Sequence, residues 1–413
     1  MTTMTSATPL NGWQRRIVAV SWITYAAYYL CRVNISTALP DLQRNLHLTN
    51  GQAGLITTGF FWAYALGQII NGRLGDRVSP RRLILVGMLV SAGLNIAFGS
   101  LSQLPLLILV WAINGYFQAT GWGPVLRTLA NWLTPVQRTR VSVIFGSCFV
   151  AGNALTWLLT GWLVANFGWR TAFWIPASLM TMIALGWYLL ARDKPEPDGP
   201  LAPIPDSPAA PLNWMLLIND LFISLRRYWQ LVAASIFFGF TFVSLIVWLP
   251  TYYVEVRHLN IGTAAIFSTL VPGAGIIGTF VIGGWIGRYW QGREVMGLTL
   301  TLVVLAALLG LYPFLPGDLV TGILVLLVIG SIAYGATSVL LTTMPLTLGS
   351  QGEASSTAGL LDLSFNIGGG LSGGIIGLLL DAQGWNAVFL AQGATVLIAS
   401  LFLIALSRTP KGA

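Results

Sequence analysis

DKPEPDGPLAPIPDSPAAP, residues 193–211, holds seven of the chain's twenty prolines. Proline lacks a backbone N–H and fixes φ, so this segment cannot be a packed helix or a span. Its flanks are opposite in character. Of 413 residues, 55% are hydrophobic and 8% charged, where a soluble domain is nearer a quarter charged. The mean hydropathy is +0.75. Apolar runs of roughly 20 residues, long enough to cross a bilayer, fall at 17–39, 53–72, 83–101, 105–133, 141–165 and 171–191. Beyond the proline segment they fall at 229–253, 262–287, 295–314, 319–346, 354–380 and 386–407. The chain reads as an all-α membrane protein of twelve spans, six on each side of a linker. The expected division is a bundle at 1–191, a linker and surface helix at 192–228, and a second bundle at 229–413. The surface helix is LNWMLLINDLFISLRRYW (212–229), apolar on one side and basic at its end.

Charge sets the expected orientation. Sixteen Lys and Arg lie in the segments on the linker's side, against Arg44, Arg170 and Arg257 on the other. Cytoplasmic loops carry such an excess, so both termini are expected in the cytoplasm. The net charge of +8 is then a topology signal, and nucleic-acid binding is not expected. The short polar start and a first apolar run long enough to span argue against a cleaved signal peptide. Cys31 and Cys148 lie inside apolar runs and imply no disulfide framework.

The halves repeat weakly. Pro40 after span 1 answers Pro250 after span 7, GRLGDR (72–77) answers GGWIGR (283–288), and NFGWRTAF (166–173) answers AQGWNAVF (382–389). Two related bundles around a midplane site are a common build for alternating-access carriers. In GRLGDRVSPRR (72–82) the glycines allow a tight turn, and Asp76 and Arg77 can latch one face.

Three ionisable residues fall well inside the spans: Arg32, Arg127 and Asp362. Arg32 lies roughly 22 Å along its helix from Ile17 at ~1.5 Å per residue, and a central Arg costs at least ~2.5–3.5 kcal/mol on insertion scales. On helical spacing Tyr25, Tyr28 or Tyr29, Arg32 and Ser36 share one face, which would attract an anion. Arg127 sits nearer a span end and reads as structural or gating, with Asp76. Asp362 shares a face with Ser355 and Asn366. Such a carboxylate is either paired with an arginine or protonated part of the time. Gln118, Asn114 and Trp122 in span 4, with Asn153 in span 5, are candidates for the cavity wall or for helix–helix glue. Gly369, Gly373 and Gly377, four apart, suit close helix packing. His47 and His258 fall in loops. The spans offer no metal cluster, nucleotide loop or nucleophile–histidine pair, so no catalytic residue, metal or cofactor is expected.

YAAYYLCRVN (25–34), FQATGWGPVLRTLANW (117–132), VSVIFGSCFVAGNA (141–154) and WLPTYYVEVRHLNIG (248–262) resemble the major facilitator superfamily. More narrowly they resemble its organophosphate:phosphate antiporters, relatives of bacterial glycerol-3-phosphate and hexose-phosphate transporters. The resemblance implies that Arg32, Tyr25 and Tyr29 bind the anion. The chain departs from it at four places. Phe242 stands where the glycerol-3-phosphate members carry a second arginine, and Cys148, Gln68 and Pro272 replace a histidine, a lysine and a glutamate. One arginine suits a monoanion better than a dianion. An intramembrane acid suits proton coupling, as in the anion:cation symporters that FFWAYALGQI (60–69) also resembles.

The sequence-based expectation is a monomeric carrier of a small organic anion in the inner membrane, working by alternating access. Arg32, Tyr25, Tyr29, Gln118, Asn153 and Asn366 would bind the solute, Asp362 would carry a coupling proton, and Asp76, Arg77 and Arg127 would gate. Organophosphate:phosphate exchange is one alternative. A membrane sensor of the same fold is another.

Overall fold

A computed structural model of the chain describes residues 10–195, 214–348 and 354–408. The proline-rich part of the linker lies outside them. Span 1 comprises α1 (Gly12–Tyr28), a 3₁₀ turn (Tyr29–Cys31) and α2 (Asn34–Leu46). Spans 2 and 3 are α3 (Asn50–Arg77) and α4 (Pro80–Ser100), and span 4 is α5 (Leu104–Gln118) followed by α6 (Trp122–Trp132). Spans 5 and 6 are α7 (Pro135–Phe167) and α8 (Thr171–Leu190).

The second half follows the same order. It comprises α9 (Trp214–Glu255), α10 (Ile261–Tyr289), α11 (Glu294–Leu311), and α12 (Leu319–Ser338) with a π turn (Val339–Thr343) and α13 (Met344–Leu348). Spans 11 and 12 are α14 (Ala354–Arg408), broken at Gly384. By length and composition ten helices qualify as spans. One of these is α14, which counts twice because of its break, and span 1 escapes that count because it is interrupted. The total is the twelve expected.

Local chemistry explains the ends. Capping boxes at Asn11/Gln14, Thr49/Gln52 and Thr134/Gln137 start α1, α3 and α7, each satisfying backbone donors that a helix start leaves free. The repeat recurs in backbone angles. His47 and His258 both adopt the left-handed conformation (φ 53°), and Gly168 and Gly384 have φ of 82° and 75°. The two histidines are therefore turn residues after spans 1 and 7. Tyr228 (φ −112°, ψ 21°) separates the short helix at 214–227 from span 7.

The bundles touch most closely at the end remote from the linker. A Cβ on Gly54 of α3 would meet the carbonyl oxygen of Gly373 of α14 at 2.1 Å, so only glycine fits there. Asp381 of α14 accepts hydrogen bonds from the N–H groups of Asn50 (2.9 Å) and Gly51 (2.8 Å), the start of α3. Leu155, Ile277 and Leu378 stand exposed, as side chains facing hydrocarbon do.

One expectation fails. The sequence spacing predicts a single helix for span 1, with Ser36 on the Arg32 stripe. It is broken at Arg32 (φ −120°, ψ −54°), which takes Ser36 out of helical register with Tyr25 and Tyr29. Past the break, α2 runs through Pro40 to Leu46.

Candidate functional site

The break in span 1 builds the site. Opening a helix inside a membrane frees carbonyls that only protein can satisfy. The carbonyl of Cys31 receives the side-chain amides of Asn114 (2.9 Å), Gln118 (3.4 Å) and Asn95 (3.4 Å). Ser91 ties these amides together, donating to Asn114 Oδ1 (2.6 Å) and accepting from Gln118 Nε2 (2.8 Å).

Arg32 is held from the same side. Its Nε donates to Gln118 Oε1 (3.2 Å) and its Nη2 to the Gln118 carbonyl (3.5 Å). Its guanidinium carbon lies 4.9 Å from the ring centre of Tyr29 and 4.8 Å from that of Tyr64, a cation between two aromatic rings. Among the described residues the one ion pair is Arg44–Asp41 at 3.4 Å. Arg32 makes no ion pair among these residues, although it acts electrostatically on Asp362.

Tyr25 is buried beside Arg32, its ring 4.9 Å from Trp122 and 5.4 Å from Phe149. Tyr28 turns away, its hydroxyl 3.1 Å from Thr120 Oγ1. Gln118 is fully buried, and its amide is used wholly within the protein.

Asp362 of α14 has two amide partners. Gln68 of α3 donates to its Oδ2, and Asn366 donates to its Oδ1 at 3.3 Å. Asn366 also reaches Gln68 Oε1 at 3.4 Å. Tyr64, one turn before Gln68, interacts electrostatically with both Arg32 and Asp362. Cation and acid thus share one polar cluster across the bundle interface and interact electrostatically without forming a contact ion pair.

Asn153 and Arg127 make their contacts elsewhere. Asn153 donates to Phe149 O of its own helix (2.9 Å), and its buried Oδ1 has no partner. Arg127 Nη1 reaches the carbonyl of Val78, just after α3, at 3.5 Å. The side chains of Asp76 and Arg77 lie outside the described residues. Phe242 packs 4.9 Å from Tyr334 and, with Trp157 and Pro272, lines a small apolar cavity.

Sequence reasoning misses Tyr64 and treats Gln68 only as a lost lysine. Tyr64 and Gln68 sit four apart within FFWAYALGQI, a shared helix face that could have flagged them. No local signal tied them to Arg32 or Asp362.

The sequence profile of the Major Facilitator Superfamily matches residues 21–373. The chain belongs to the major facilitator superfamily. Among curated relatives it is 28% identical to the glycerol-3-phosphate transporter of Bacillus subtilis (strain 168), over 95% of this chain and 92% of that one. It is 24% identical to a probable sulfoacetate transporter of Cupriavidus necator (94% and 93% covered) and to the membrane sensor protein UhpC of Escherichia coli (strain K12; 97% and 94%). These relatives agree with the resemblance carried by spans 1 and 4. A bacterial homolog of the human lysosomal transporter Spinster, solved inward-facing and unoccupied, superposes with a TM-score of 0.80 at 17% identity, covering 97% and 98%. That likeness shows the facilitator fold of twelve membrane helices in two bundles. Facilitator proteins of this kind are transport proteins rather than enzymes.

Proposed function

We propose that this facilitator carries a small organic anion across the inner membrane by alternating access, as a monomer with both termini and the linker in the cytoplasm. The observation that carries the reading is Arg32. It is a permanent cation, set at a helix break, fixed by Gln118 and flanked by Tyr29 and Tyr64, with no contact ion pair among the described residues. Its charge is only partly offset, by Asp362 acting at a distance, so an incoming anion can complete the neutralisation. Tyr25 and Tyr29 orient that anion. Asn153 offers a buried acceptor, and Asn366 acts through Asp362. The contact of α3 with α14 closes the outer face, and Asp76, Arg77 and Arg127 work the inner one.

Asp362 is the coupling group in this reading. Its hydrogen-bond partners are neutral amides, and an amide can donate to a carboxylate or accept from a carboxylic acid by turning over. Protonation would thus rearrange the Gln68–Asp362 contact between the bundles.

Organophosphate exchange has the glycerol-3-phosphate relative in its favour. Against it stands Phe242, apolar where a second cation would meet a dianion, because an unmatched buried charge costs several kcal/mol. The sensor reading is supported by the likeness to UhpC.

Counterflow in liposomes decides among these, using labelled carboxylates, sulfonates and glycerol 3-phosphate. Exchange of a monoanion faster than of glycerol 3-phosphate is expected. Binding without any flux would favour a sensor, and preference for the phosphate ester would favour exchange.

A further inference from the structure

Trp13, at the linker-side end of α1, gathers two cations from distant parts of the chain. The guanidinium carbon of Arg16 lies 4.8 Å from the centre of its ring, and that of Arg192, which follows α8, lies 4.6 Å from it. The indole stacks on Trp132 of α6, 5.8 Å between ring centres, and Trp132 Nε1–H donates to the Arg192 carbonyl at 2.9 Å. Arg15 stands beside them, its Nε donating to the Leu10 carbonyl at 3.0 Å. All three arginines are exposed, and Trp13 is 37% exposed.

No acid answers this charge from α1. Arg15 and Arg16 make no ion pair among the described residues, and the first turn of α1 holds no acid. Asp193, next to Arg192, spends its carboxylate on the Ser79 hydroxyl and the Arg81 N–H. A topology signal needs only cations in the segments on one side. It does not need them to converge on one indole.

The patch runs directly into lipid-facing surface. Arg16, Ala19 and Ile23 are three and four residues apart and share one face of α1. All three are exposed, Ile23 at 49%. At ~1.5 Å per residue, Ile23 lies roughly 10 Å deeper than Arg16, the step from headgroup level into hydrocarbon.

We propose that this patch binds one anionic phospholipid, of the phosphatidylglycerol kind, from the leaflet on the linker's side. Arg15, Arg16 and Arg192 hold its phosphate, for which the planar guanidinium fork is suited. Trp13 sits at the polar–apolar boundary, where indoles are favoured, and an acyl chain lies along Ala19 and Ile23. A soluble anion could meet the same arginines but would leave that apolar stripe unused. The bound lipid ties the start of span 1 to the start of the linker. The site is independent of the solute and of Arg32.

The test uses the purified full chain in a neutral detergent, with phosphatidylglycerol or phosphatidylcholine of the same acyl chains added. Native mass spectrometry counts retained lipid, and melting reads stability. Phosphatidylglycerol should occupy a tight site and raise the melting temperature, and phosphatidylcholine should do neither. Arg15→Gln combined with Arg16→Gln should weaken phosphatidylglycerol at least about tenfold, because hydrogen bonds to a charged group are lost. Without that lipid the double variant should melt no lower than wild type, since both cations sit near a helix start, so lost affinity is not lost fold. Arg226→Gln with Arg227→Gln removes the same charge from exposed positions before span 7 and should leave the affinity unchanged. Equal losses in the two double variants would reduce the effect to general surface charge and overturn the site. Equal retention of both lipids would overturn it too, and so would displacement of phosphatidylglycerol by inorganic phosphate, which would mark a soluble-anion site.

Discussion

Gln118 grips Arg32 and the broken backbone beside it at once, its Oε1 accepting from Arg32 Nε at 3.2 Å and its Nε2 donating to the Cys31 carbonyl at 3.4 Å. The anchor is therefore a unit of three residues on two helices. Gln118→Glu would place a carboxylate on the guanidinium and neutralise the cation from within. Asn114 still serves the Cys31 carbonyl, so the fold should survive. Anion affinity should fall at least about tenfold, since hydrogen bonds to charged groups contribute about 1.5–3 kcal/mol. Ligand titration against the melting temperature checks this.

Asp381 should latch the outer face. It joins α14 to the first N–H groups of α3, where a negative charge is favoured. Thr57, buried one to two turns along α3, should react faster as Thr57→Cys with an impermeant thiol reagent when Asp381→Asn is added.

That latch has a pH signature. Burial pushes the Asp381 carboxyl up, but the N–H groups of Gly51 and Asn50 outweigh it and hold the carboxyl below its ordinary range. A depressed carboxyl contributes its full stabilisation above the ordinary value and loses it as pH falls through the depressed one. Labelling of Thr57→Cys, corrected for thiolate fraction, should therefore hold steady from about pH 8 to 5 and rise only below about pH 4.

Phe242→Arg restores the cation that glycerol-3-phosphate carriers place there by resemblance. Position 242 faces the interface cavity, so the variant should bind divalent phosphates better relative to monocarboxylates. An unchanged ranking in a competition assay, with the variant folded, would remove position 242 from the site.

Asp362→Asn keeps the shape of the Gln68–Asn366 cluster and removes the titrating oxygen. Accumulation driven by a pH gradient should stop while exchange at fixed pH continues, because exchange moves no net proton. A mutant that still accumulates solute on the gradient would exclude Asp362 as the carrier, and a wild type indifferent to the gradient would end proton coupling.

Much of the fold was legible because it rests on length and periodicity. The twelve spans follow from apolar runs, close helix packing from Gly369, Gly373 and Gly377 (though not that α3 is the partner), and the repeat from Pro40/Pro250 and the two GW turns. The break at Arg32 was not legible. Tyr29–Val33 contains neither glycine nor proline, and the open turn is held by Asn95, Asn114 and Gln118 from other helices. Likewise Asp362 showed no partner in sequence, because Gln68 lies 294 residues away. Arg32, Tyr25 and Tyr29 could be named from one motif. Tyr64, which completes the ring pair around the cation, is distant in sequence and needed coordinates.

The central claim is that Arg32 binds the anion. The direct measurement is the affinity of purified wild type, Arg32→Lys and Arg32→Gln for the best-exchanged solute, with melting temperatures measured alongside. Lysine keeps the charge but loses the planar fork that matches a carboxylate or sulfonate. Arg32→Lys should therefore stay folded and bind at least about tenfold more weakly, and Arg32→Gln should show no binding. Wild-type affinity in either folded variant would contradict the account.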